Sequence, residues 1–329
     1  MEIPVYLFTG FLESGKTTFI QDVLEGSDFN MGERTLLLLC EEGEVEYEPE
    51  KFFGKNVFIE PIENEEDLTE ELLSELQMKH RVERVIVEYN GMWMLDTFYR
   101  NMPPEWLTYQ EMLFADARTF LTYNENMRQL VYDKLKSAEM VAFNHCSREK
   151  MAEVDQEGVD LMHRLHRICR AANRKSQIMY EYGYDDVEMD TIPDPLPFDL
   201  NAKTIVIKDD AYAEWYRDIN EDPNKYDGKT ITVKGRLVNG GEIPEYKFVF
   251  GRHVMTCCVE DIQFAGLVAR WTKEAARFNN GDWVQITAKI RVEYDPIYGA
   301  ESDPNSVGPV LFCTRVRRTE PSIPEVATF

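Results

Sequence analysis

The sequence lacks the features of secreted and membrane-spanning proteins. Its six cysteines include no C-x-x-C pair, and they do not form the framework of closely spaced disulfides found in small secreted domains. No apolar run approaches the about 20 residues that a membrane-spanning helix needs, and the N-terminus has no basic segment of the kind that opens a signal peptide. We therefore expect a cytoplasmic protein that does not insert directly into a membrane.

Basic residues are also scarce. The 329 residues include 36 lysines and arginines but 60 aspartates and glutamates, and the formal net charge is −24. Binding to nucleic acid needs a basic surface that neutralises phosphates, so this composition argues against a nucleic-acid partner. The length favours two domains, and a hydrophobic content of 43% is enough to give each domain a core.

One stretch near the start carries a specific pattern of glycines. Residues 10–17 read G-F-L-E-S-G-K-T, which matches G-x-x-x-x-G-K-[ST], the P-loop that cradles phosphates in nucleotide-binding proteins. The apolar stretch Ile3–Thr9 predicts a buried parallel strand before the loop. Apolar residues at helical spacing predict a helix after it, with Gly26 as its stop. The sequence therefore predicts a site for a nucleoside triphosphate.

The residue types of this loop suit the binding of phosphates. Gly10 and Gly15 allow the tight turn that aims backbone N–H groups at a phosphate. Lys16 brings an ammonium to the outer phosphates and is a candidate catalytic residue, and Thr17 brings a hydroxyl to Mg²⁺. The predicted nucleotide contacts are Gly10, Glu13, Ser14, Gly15, Lys16, Thr17, Thr18, Gly91 and Asn144.

Two acidic residues follow predicted strands of the same sheet. Residues 35–40 predict a buried strand that leads into an acidic loop beginning at Glu41, and residues 84–91 predict another strand with Glu88 at its end. The carboxyl ends of parallel strands face the ligand crevice, so Glu41 and Glu88 are candidate catalytic residues and, with Thr17, candidate Mg²⁺ ligands. The alternative is that each carboxylate belongs to an ordinary solvated turn.

The remaining patterns predict an α/β domain over residues 1–190, with a mainly parallel sheet. Further strands are predicted over residues 56–62, 117–121, 138–147 (with the loop that follows) and 177–180, and helices over residues 67–79, 126–136 and 154–173.

The second half has a different character. Three prolines within residues 193–197 predict a stiff linker over residues 191–203. Over residues 204–329, short strands of period two separated by turn residues predict a small all-β barrel of the oligonucleotide/oligosaccharide-binding (OB) shape. The predicted strands are 204–207, 229–238, 246–250, 283–290 and 310–314, and a helix is predicted over residues 210–219.

Two adjacent cysteines are the chemical feature of the second domain. His253, Cys257 and Cys258 carry the nitrogen and sulfur atoms that Zn²⁺ prefers as ligands. Adjacent side chains of a strand point to opposite faces, so both cysteines could bind one ion only at a bulge. The alternative is that they are small buried hydrophobic residues.

Three stretches of the first domain match the motifs of one known family. Residues 8–18 read F-T-G-F-L-E-S-G-K-T-T, residues 40–45 read C-E-E-G-E-V, and residues 88–91 read E-Y-N-G. They resemble the T-G-F-L-G-[AS]-G-K-T-T, N-E-F-G-E-V and E-x-x-G motifs of the CobW family of metal-handling GTPases. The resemblance implies GTP hydrolysis coupled to the delivery of Zn²⁺, Co²⁺ or a similar ion to a metalloprotein client.

Two motifs depart from that family. The metal-binding C-x-C-C segment is missing between Tyr47 and Asn56, and the guanine motif N-K-x-D is replaced by N-H-C-S at residues 144–147. The choice between GTP and ATP therefore stays open. Residues 210–326 resemble a different family, the soluble C-terminal domain of bacterial membrane proteins whose genes accompany predicted permeases. That resemblance rests on residues 222–229, 252–261 and 321–324 and implies a permease as a partner.

Two hypotheses of function follow. In the first, the chain binds Mg²⁺ and GTP or ATP, hydrolyses the nucleotide, and couples this reaction to metal handling, with Zn²⁺ as one such metal, or to regulation of a permease. In the second, the first domain is a nucleotide-sensing scaffold that does not hydrolyse its ligand. A small-molecule kinase ranks last, because the sequence has no evident lid arginines.

Overall fold

The computed structural model describes residues 2–29, 31–41, 43, 45–183, 185–238, 246–256, 261–271, 278–299 and 306–329. The chain divides into two units, Met1–Pro193 and Asp194–Phe329. Residues 191–204, around that division, form no helix or strand. In the described part of the chain, no helix is both long enough and apolar enough to cross a membrane.

The first unit is built on one twisted sheet in the order β3-β2-β4-β1-β5-β6-β7-β8. All neighbouring strands are parallel except β7 and β8. The strands are β1 Ile3–Thr9, β2 Thr35–Leu39, β3 Val57–Pro61, β4 Arg84–Glu88, β5 Trp106–Asp116, β6 Met140–Asn144, β7 Gln177–Gly183 and β8 Asp186–Met189. The α/β class with a mainly parallel sheet, predicted for this part of the chain, is confirmed.

Helices cover both faces of this sheet. They are α1 Lys16–Glu25, α2 Glu70–His80, α3 Leu95–Asn101, α4 Phe120–Asn126, α5 Arg128–Leu135, α6 Arg148–Met151 and α7 Leu161–Ala172. Successive residues of β1 point to opposite faces, so Leu7 packs with Leu73 of α2 and Phe98 of α3, whereas Phe8 packs with Ile20 of α1. Burial on both sides explains why the central strands are continuous apolar runs.

The prediction of a strand over residues 117–121 is wrong. The strand in this region is β5, and the chain turns after it and enters α4 at Phe120. Ala117 and Phe120 are apolar because the turn and the start of α4 pack into the core. The first half of β5 alternates between exposed and partly buried residues, and its polar side chains interrupt the apolar run by which a buried strand is recognised.

The helix predicted over residues 154–173 begins later, at Leu161. The Asp155 carboxylate accepts two hydrogen bonds of 2.9 Å from backbone N–H groups of the following turn. Asp160 then caps the helix with its side chain. Such side-chain bonds to the backbone compete with helix formation, so the first residues of the predicted helix form a turn.

The second unit is a mixed sheet with one helix. Its order is β15-β11-β12-β14-β13-β10-β9, and β11 also pairs with β10. Three pairs are parallel, namely β9–β10, β11–β15 and β12–β14, and the others are antiparallel. The elements are β9 Ile205–Val206, α8 Tyr212–Glu221, β10 Thr230–Val238, β11 Lys247–Met255, β12 Gln263–Arg270, β13 Trp283–Tyr294, β14 Val307–Arg318 and β15 Ala327–Thr328.

Strand β12 is absent from the sequence prediction because of its glycine. Gly266 lies opposite Gly251 of β11, and a Cβ atom at Gly251 would lie 2.3 Å from the carbonyl oxygen of Ala265. The backbone of β12 fills the side-chain space at Gly251, and the side chains of Val249 and Phe264 fill it at Gly266. Glycine in a sequence often indicates a turn, but Gly266 lies inside a strand, at a point of close packing.

Candidate functional site

The loop between β1 and α1 has the shape that its glycines predict. Gly10 and Gly15 adopt φ angles of 138° and 93°, in the left-handed region that favours glycine. A Cβ atom at Gly10 would lie 2.2 Å from the carbonyl oxygen of Phe114, and one at Gly15 would lie 2.0 Å from Nδ2 of Asn144. Both positions therefore require glycine for conformation and for space.

Lys16 lies inside this loop with its side chain almost fully buried. Its Nζ donates hydrogen bonds to the carbonyl oxygens of Gly10 at 2.8 Å and Phe11 at 3.1 Å. The same Nζ lies 2.6 Å from Oε2 of Glu41. The other oxygen of Glu41 accepts a hydrogen bond of 3.3 Å from the backbone N–H of Gly91. Glu41 therefore joins the lysine of the loop to the segment after β4.

Glu88 reaches the same place because of strand register. It lies at the end of β4 beside Phe8 of β1 and Leu39 of β2. The hydroxyl of Thr17 donates a hydrogen bond of 2.7 Å to Oε1 of Glu88, and the hydroxyl of Tyr47 donates to Oε2. A threonine hydroxyl and a carboxylate in contact are the side chains that Mg²⁺ uses beside bound phosphates.

The environment of Glu88 shifts its ionisation. Burial raises the pKa of Glu88, while the hydrogen bonds from Thr17 and Tyr47 and the charge of Lys16 act in the opposite direction. Burial also raises the pKa of Tyr47, and the neighbouring charge of Glu88 adds to this shift. Tyr47 therefore stays a hydrogen-bond donor at neutral pH.

Two planar side chains line the same cleft. Arg118 and His145 both contact the carboxylate of Asp116, through Nε of Arg118 at 2.9 Å from Oδ1 and Nδ1 of His145 at 3.2 Å from Oδ2. Asn144, the residue before His145, donates a hydrogen bond from Nδ2 to the carbonyl oxygen of Ser14. The end of β6 is thereby joined to the glycine loop.

The donor set fits a phosphate ligand. The hydroxyl of Ser14 is buried and has no hydrogen-bond partner among the described residues. Helix α1 begins at Lys16, and the first backbone N–H groups of a helix have no partner within the helix. Helix N-termini and unpaired donors attract phosphate oxygens. The cleft has a volume of about 270 Å³, just below the range of small-molecule sites, about 300–1,000 Å³.

Comparison with protein-family models assigns this part of the chain. The model of the CobW/HypB/UreG nucleotide-binding domain matches residues 4–179, more than half of the chain. The chain belongs to the CobW/HypB/UreG family. The resemblance to CobW proteins predicted from the motifs is confirmed at that level, and with it the P-loop NTPase-like character of the fold.

The other comparisons cover the second unit and the solved structures. The model of the DUF1980 C-terminal domain matches residues 186–320, and no curated protein matches the chain. Among solved structures, the hydrogenase maturation factor HypB from Archaeoglobus fulgidus is 14% identical, with a TM-score of 0.37. That alignment covers 55% of this chain and 81% of the HypB chain.

In this CobW/HypB/UreG domain, most of the predicted site residues lie together. The predicted residues that line the cleft are Glu13, Ser14, Gly15, Lys16, Thr17, Thr18, Glu41 and Glu88. Gly10, Gly91 and Asn144 contact that group through the bonds described above. Sequence reasoning missed Tyr47, whose partner Glu88 lies 41 positions away. It also missed the neighbours Asp116 and Arg118, because they meet His145 only through the pairing of β5 with β6.

The predicted zinc ligands are a different case. Cys257 and Cys258 lie outside the described residues. His253 lies on β11, where its ring packs edge-on against Phe264 with centroids 5.3 Å apart. Within the described ranges, no three His, Cys, Asp or Glu side chains come together as a metal site. Zinc binding by the CobW/HypB/UreG chain therefore stays a prediction.

Proposed function

We propose that residues 1–190 bind a nucleoside triphosphate with Mg²⁺ and hydrolyse it, in the service of metal handling. The observation that carries the proposal is the convergence of Lys16 and of the Thr17–Glu88 pair in one cleft. The Lys16 ammonium complements the negative charge of phosphates, and the Thr17 hydroxyl and the Glu88 carboxylate are suitable ligands for Mg²⁺. All three side chains lie at the carboxyl end of the sheet, where α/β proteins bind ligands. GTP is the nucleotide that the CobW resemblance implies.

Each side chain has a defined part in this proposal. The N–H groups at the start of α1, the hydroxyl of Ser14 and the ammonium of Lys16 hold the phosphates, and Thr17 and Glu88 hold Mg²⁺. Bound Mg²⁺ neutralises charge that develops on the phosphate oxygens. Lys16 leaves the Glu41 carboxylate and directs its charge to the outer phosphates, and Glu41 is then free to accept a hydrogen bond from the attacking water.

The loop after β2 supplies a switch between two states. Glu41 and Tyr47 belong to this loop, and they contact Lys16 and Glu88, the groups assigned to phosphate and to Mg²⁺. Ligand and loop therefore compete for the same partners. Ligand binding releases the loop at both ends, and product release restores it, which gives the cycle a conformational output.

The second unit is proposed to be a separate domain over residues 204–329, after the linker of residues 191–203. Strands β11, β12, β14, β13 and β10 form a ring of pairings, because β10 pairs with both β11 and β13. This ring supports the predicted OB-like barrel. We infer from the sequence resemblance that this domain contacts a permease or a metalloprotein client, and that Cys257 and Cys258 provide its zinc-binding thiols.

A scaffold that binds nucleotide without hydrolysis is the second candidate. The replacement of N-K-x-D by residues 144–147 favours it, since loss of a base-recognition motif indicates relaxed selection of the substrate. Both candidates require a nucleotide in the cleft, and they differ in turnover alone.

Phosphate release by the full chain separates the two candidates. We expect Mg²⁺-dependent release from GTP or ATP that Lys16→Ala abolishes. Lys79→Ala is the matched control, because Lys79 also lies 2.6 Å from a glutamate, Glu60, but on the exposed surface. Release no faster than that of Lys16→Ala, despite bound nucleotide, would leave the scaffold as the function.

A further inference from the structure

One wall of the cleft is formed by side chains that end in flat groups. Arg118 and His145 line the cleft together with the phosphate loop, and their side chains are 54% and 47% exposed. Each ends in a flat, delocalised group. Flat cationic and aromatic groups bind nucleobases by stacking on the face of the ring.

A single carboxylate holds both groups in place. Nε and Nη2 of Arg118 contact Asp116 at 2.9 and 2.5 Å, and the backbone N–H of Arg118 lies 2.8 Å from the same carboxylate. Nδ1 of His145 lies 3.2 Å from Oδ2 of Asp116. These contacts use the edges of the guanidinium and of the imidazole, and they leave the ring faces available to a ligand.

The position of this pair relative to the phosphate site is fixed. His145 follows Asn144, whose amide donates to the carbonyl oxygen of Ser14, and whose Nδ2 occupies the space of a side chain at Gly15. His145 itself adopts a φ of 54°, a conformation that turns the chain sharply after β6. The position of His145 relative to Ser14 and Gly15 is therefore fixed by these contacts.

At the position where guanine-specific P-loop proteins carry the carboxylate that reads the guanine edge, this chain has none. Selective recognition of guanine requires an acceptor pair for its N1–H and N2–H groups, and the last residue of N-K-x-D supplies it in guanine-specific P-loop proteins. Ser147 stands at that position, and a hydroxyl cannot replace a carboxylate as a paired acceptor. Asp116, which lies nearby, is already engaged with Arg118 and His145.

We propose that Arg118 and His145, positioned by Asp116, form a stacking platform for the base, and that the site takes adenine and guanine nucleotides alike. This inference rests on the proposed nucleotide-binding function and specifies its substrate class. Stacking tolerates different bases because every base has a π-face. Asp116 acts as a positioning residue, since it contacts the platform and not the ligand.

The test is a comparison of dissociation constants for Mg²⁺-GTP and Mg²⁺-ATP on the full chain. The natural chain should bind the two within about threefold of each other. Arg118→Ala and His145→Ala should each weaken both nucleotides by a similar factor, about tenfold, the scale of one stacking contact. His163→Ala is the matched control, because His163 is also half-exposed and paired with an aspartate, Asp160, at 2.8 Å.

A variant that should gain selectivity for GTP provides an independent test of the proposal. Ser147→Asp restores the acceptor pair and should shift the preference toward GTP by about tenfold or more, a difference on the scale of hydrogen bonds to a charged group. A natural chain that already prefers GTP by tenfold would overturn the platform while leaving nucleotide binding intact. Equal affinities in the natural chain, Arg118→Ala and His145→Ala would also overturn it. Failure of both nucleotides to bind would instead overturn the proposed function.

Discussion

The ammonium of Lys16 and the carboxylate of Glu41 lie 2.6 Å apart, with side chains only 2% and 10% exposed. An ion pair this well buried is screened little by solvent, and it involves the lysine to which we assign the phosphates. The pair therefore opposes nucleotide binding, and the strength of that opposition can be measured.

Glu41→Gln should separate affinity from turnover. A neutral amide holds the Lys16 ammonium less firmly, so Mg²⁺-nucleotide affinity should rise, by about tenfold if the change equals one charge-assisted hydrogen bond. Phosphate release should fall, because the amide oxygen of Gln accepts a hydrogen bond from the attacking water more weakly than the carboxylate of Glu41 does. Calorimetry and a phosphate assay measure the two effects. Glu60→Gln, the surface counterpart, should change neither, and unaltered affinity in Glu41→Gln would argue against the competition.

The raised pKa of Glu88 predicts a pH dependence of Mg²⁺ binding. Burial favours the protonated form, so the pKa lies above the ordinary 4.5 of a glutamate. Mg²⁺ binds the deprotonated carboxylate, so affinity should be weak near pH 4.5, increase as the pH rises through the raised pKa, and then level off. For the ligand-free fold the sign is opposite, because a buried charge at Glu88 lowers stability over that same rise in pH.

Titrations of Mg²⁺-nucleotide at several pH values between 4.5 and neutrality would measure this dependence. Glu88→Gln removes the titrating group, and its residual affinity should be weak and much flatter with pH. A natural chain with constant affinity across the whole interval would show that Glu88 does not bind the ion.

Gly91→Ala should disable the phosphate loop. A methyl group at Gly91 would lie 2.6 Å from the carbonyl oxygen of Gly10 and 2.7 Å from Cα of Phe11, so the loop has to shift. Nucleotide affinity should fall by about tenfold or more, since small displacements of a binding loop have large effects. Gly26→Ala is the control, because Gly26 lies beyond the other end of α1 and its methyl group would meet the carbonyl oxygen of Val23 at an ordinary 3.5 Å. Equal affinity in the two variants would contradict the prediction.

Gly251→Ala tests the close strand pair of the second unit. The added methyl group would lie 2.3 Å from the carbonyl oxygen of Ala265 and 2.6 Å from Cα of Gly266. Overpacking of this kind costs about 1–3 kcal/mol, and the thermal transition should move to a lower temperature in calorimetry. Gly26→Ala, whose methyl group would meet its neighbours at 3.5 Å or more, should leave the transitions in place. An unchanged transition temperature for Gly251→Ala would contradict this prediction, because it would show that the two strands move apart to make room for the methyl group.

The features that the sequence predicts well are local. The glycine pattern of residues 10–17, an apolar strand before it and a helix after it lie within one short segment, so their geometry follows from residue type. The meeting of Glu41 and Glu88 also follows from a simple rule, because parallel strands end at the same edge of the sheet.

The features that escape prediction depend on distant segments. Tyr47 reaches Glu88 across 41 positions of the sequence, and nothing near either residue indicates the contact. Arg118 and His145 come together because β5 and β6 are neighbours in the sheet, where Asp116 pairs with Asn144. The first half of strand β5 has too many polar residues for the strand to be recognised in the sequence. The cleft wall formed by Arg118 and His145, which depends on β5, therefore cannot be predicted either.

Calorimetric titration of the full chain with Mg²⁺-GTP and with Mg²⁺-ATP tests the central claim most directly. We predict saturable heat with one site per chain, absent in Lys16→Ala and unaltered in Lys79→Ala. No heat and no binding of either nucleotide to the natural chain would contradict the account.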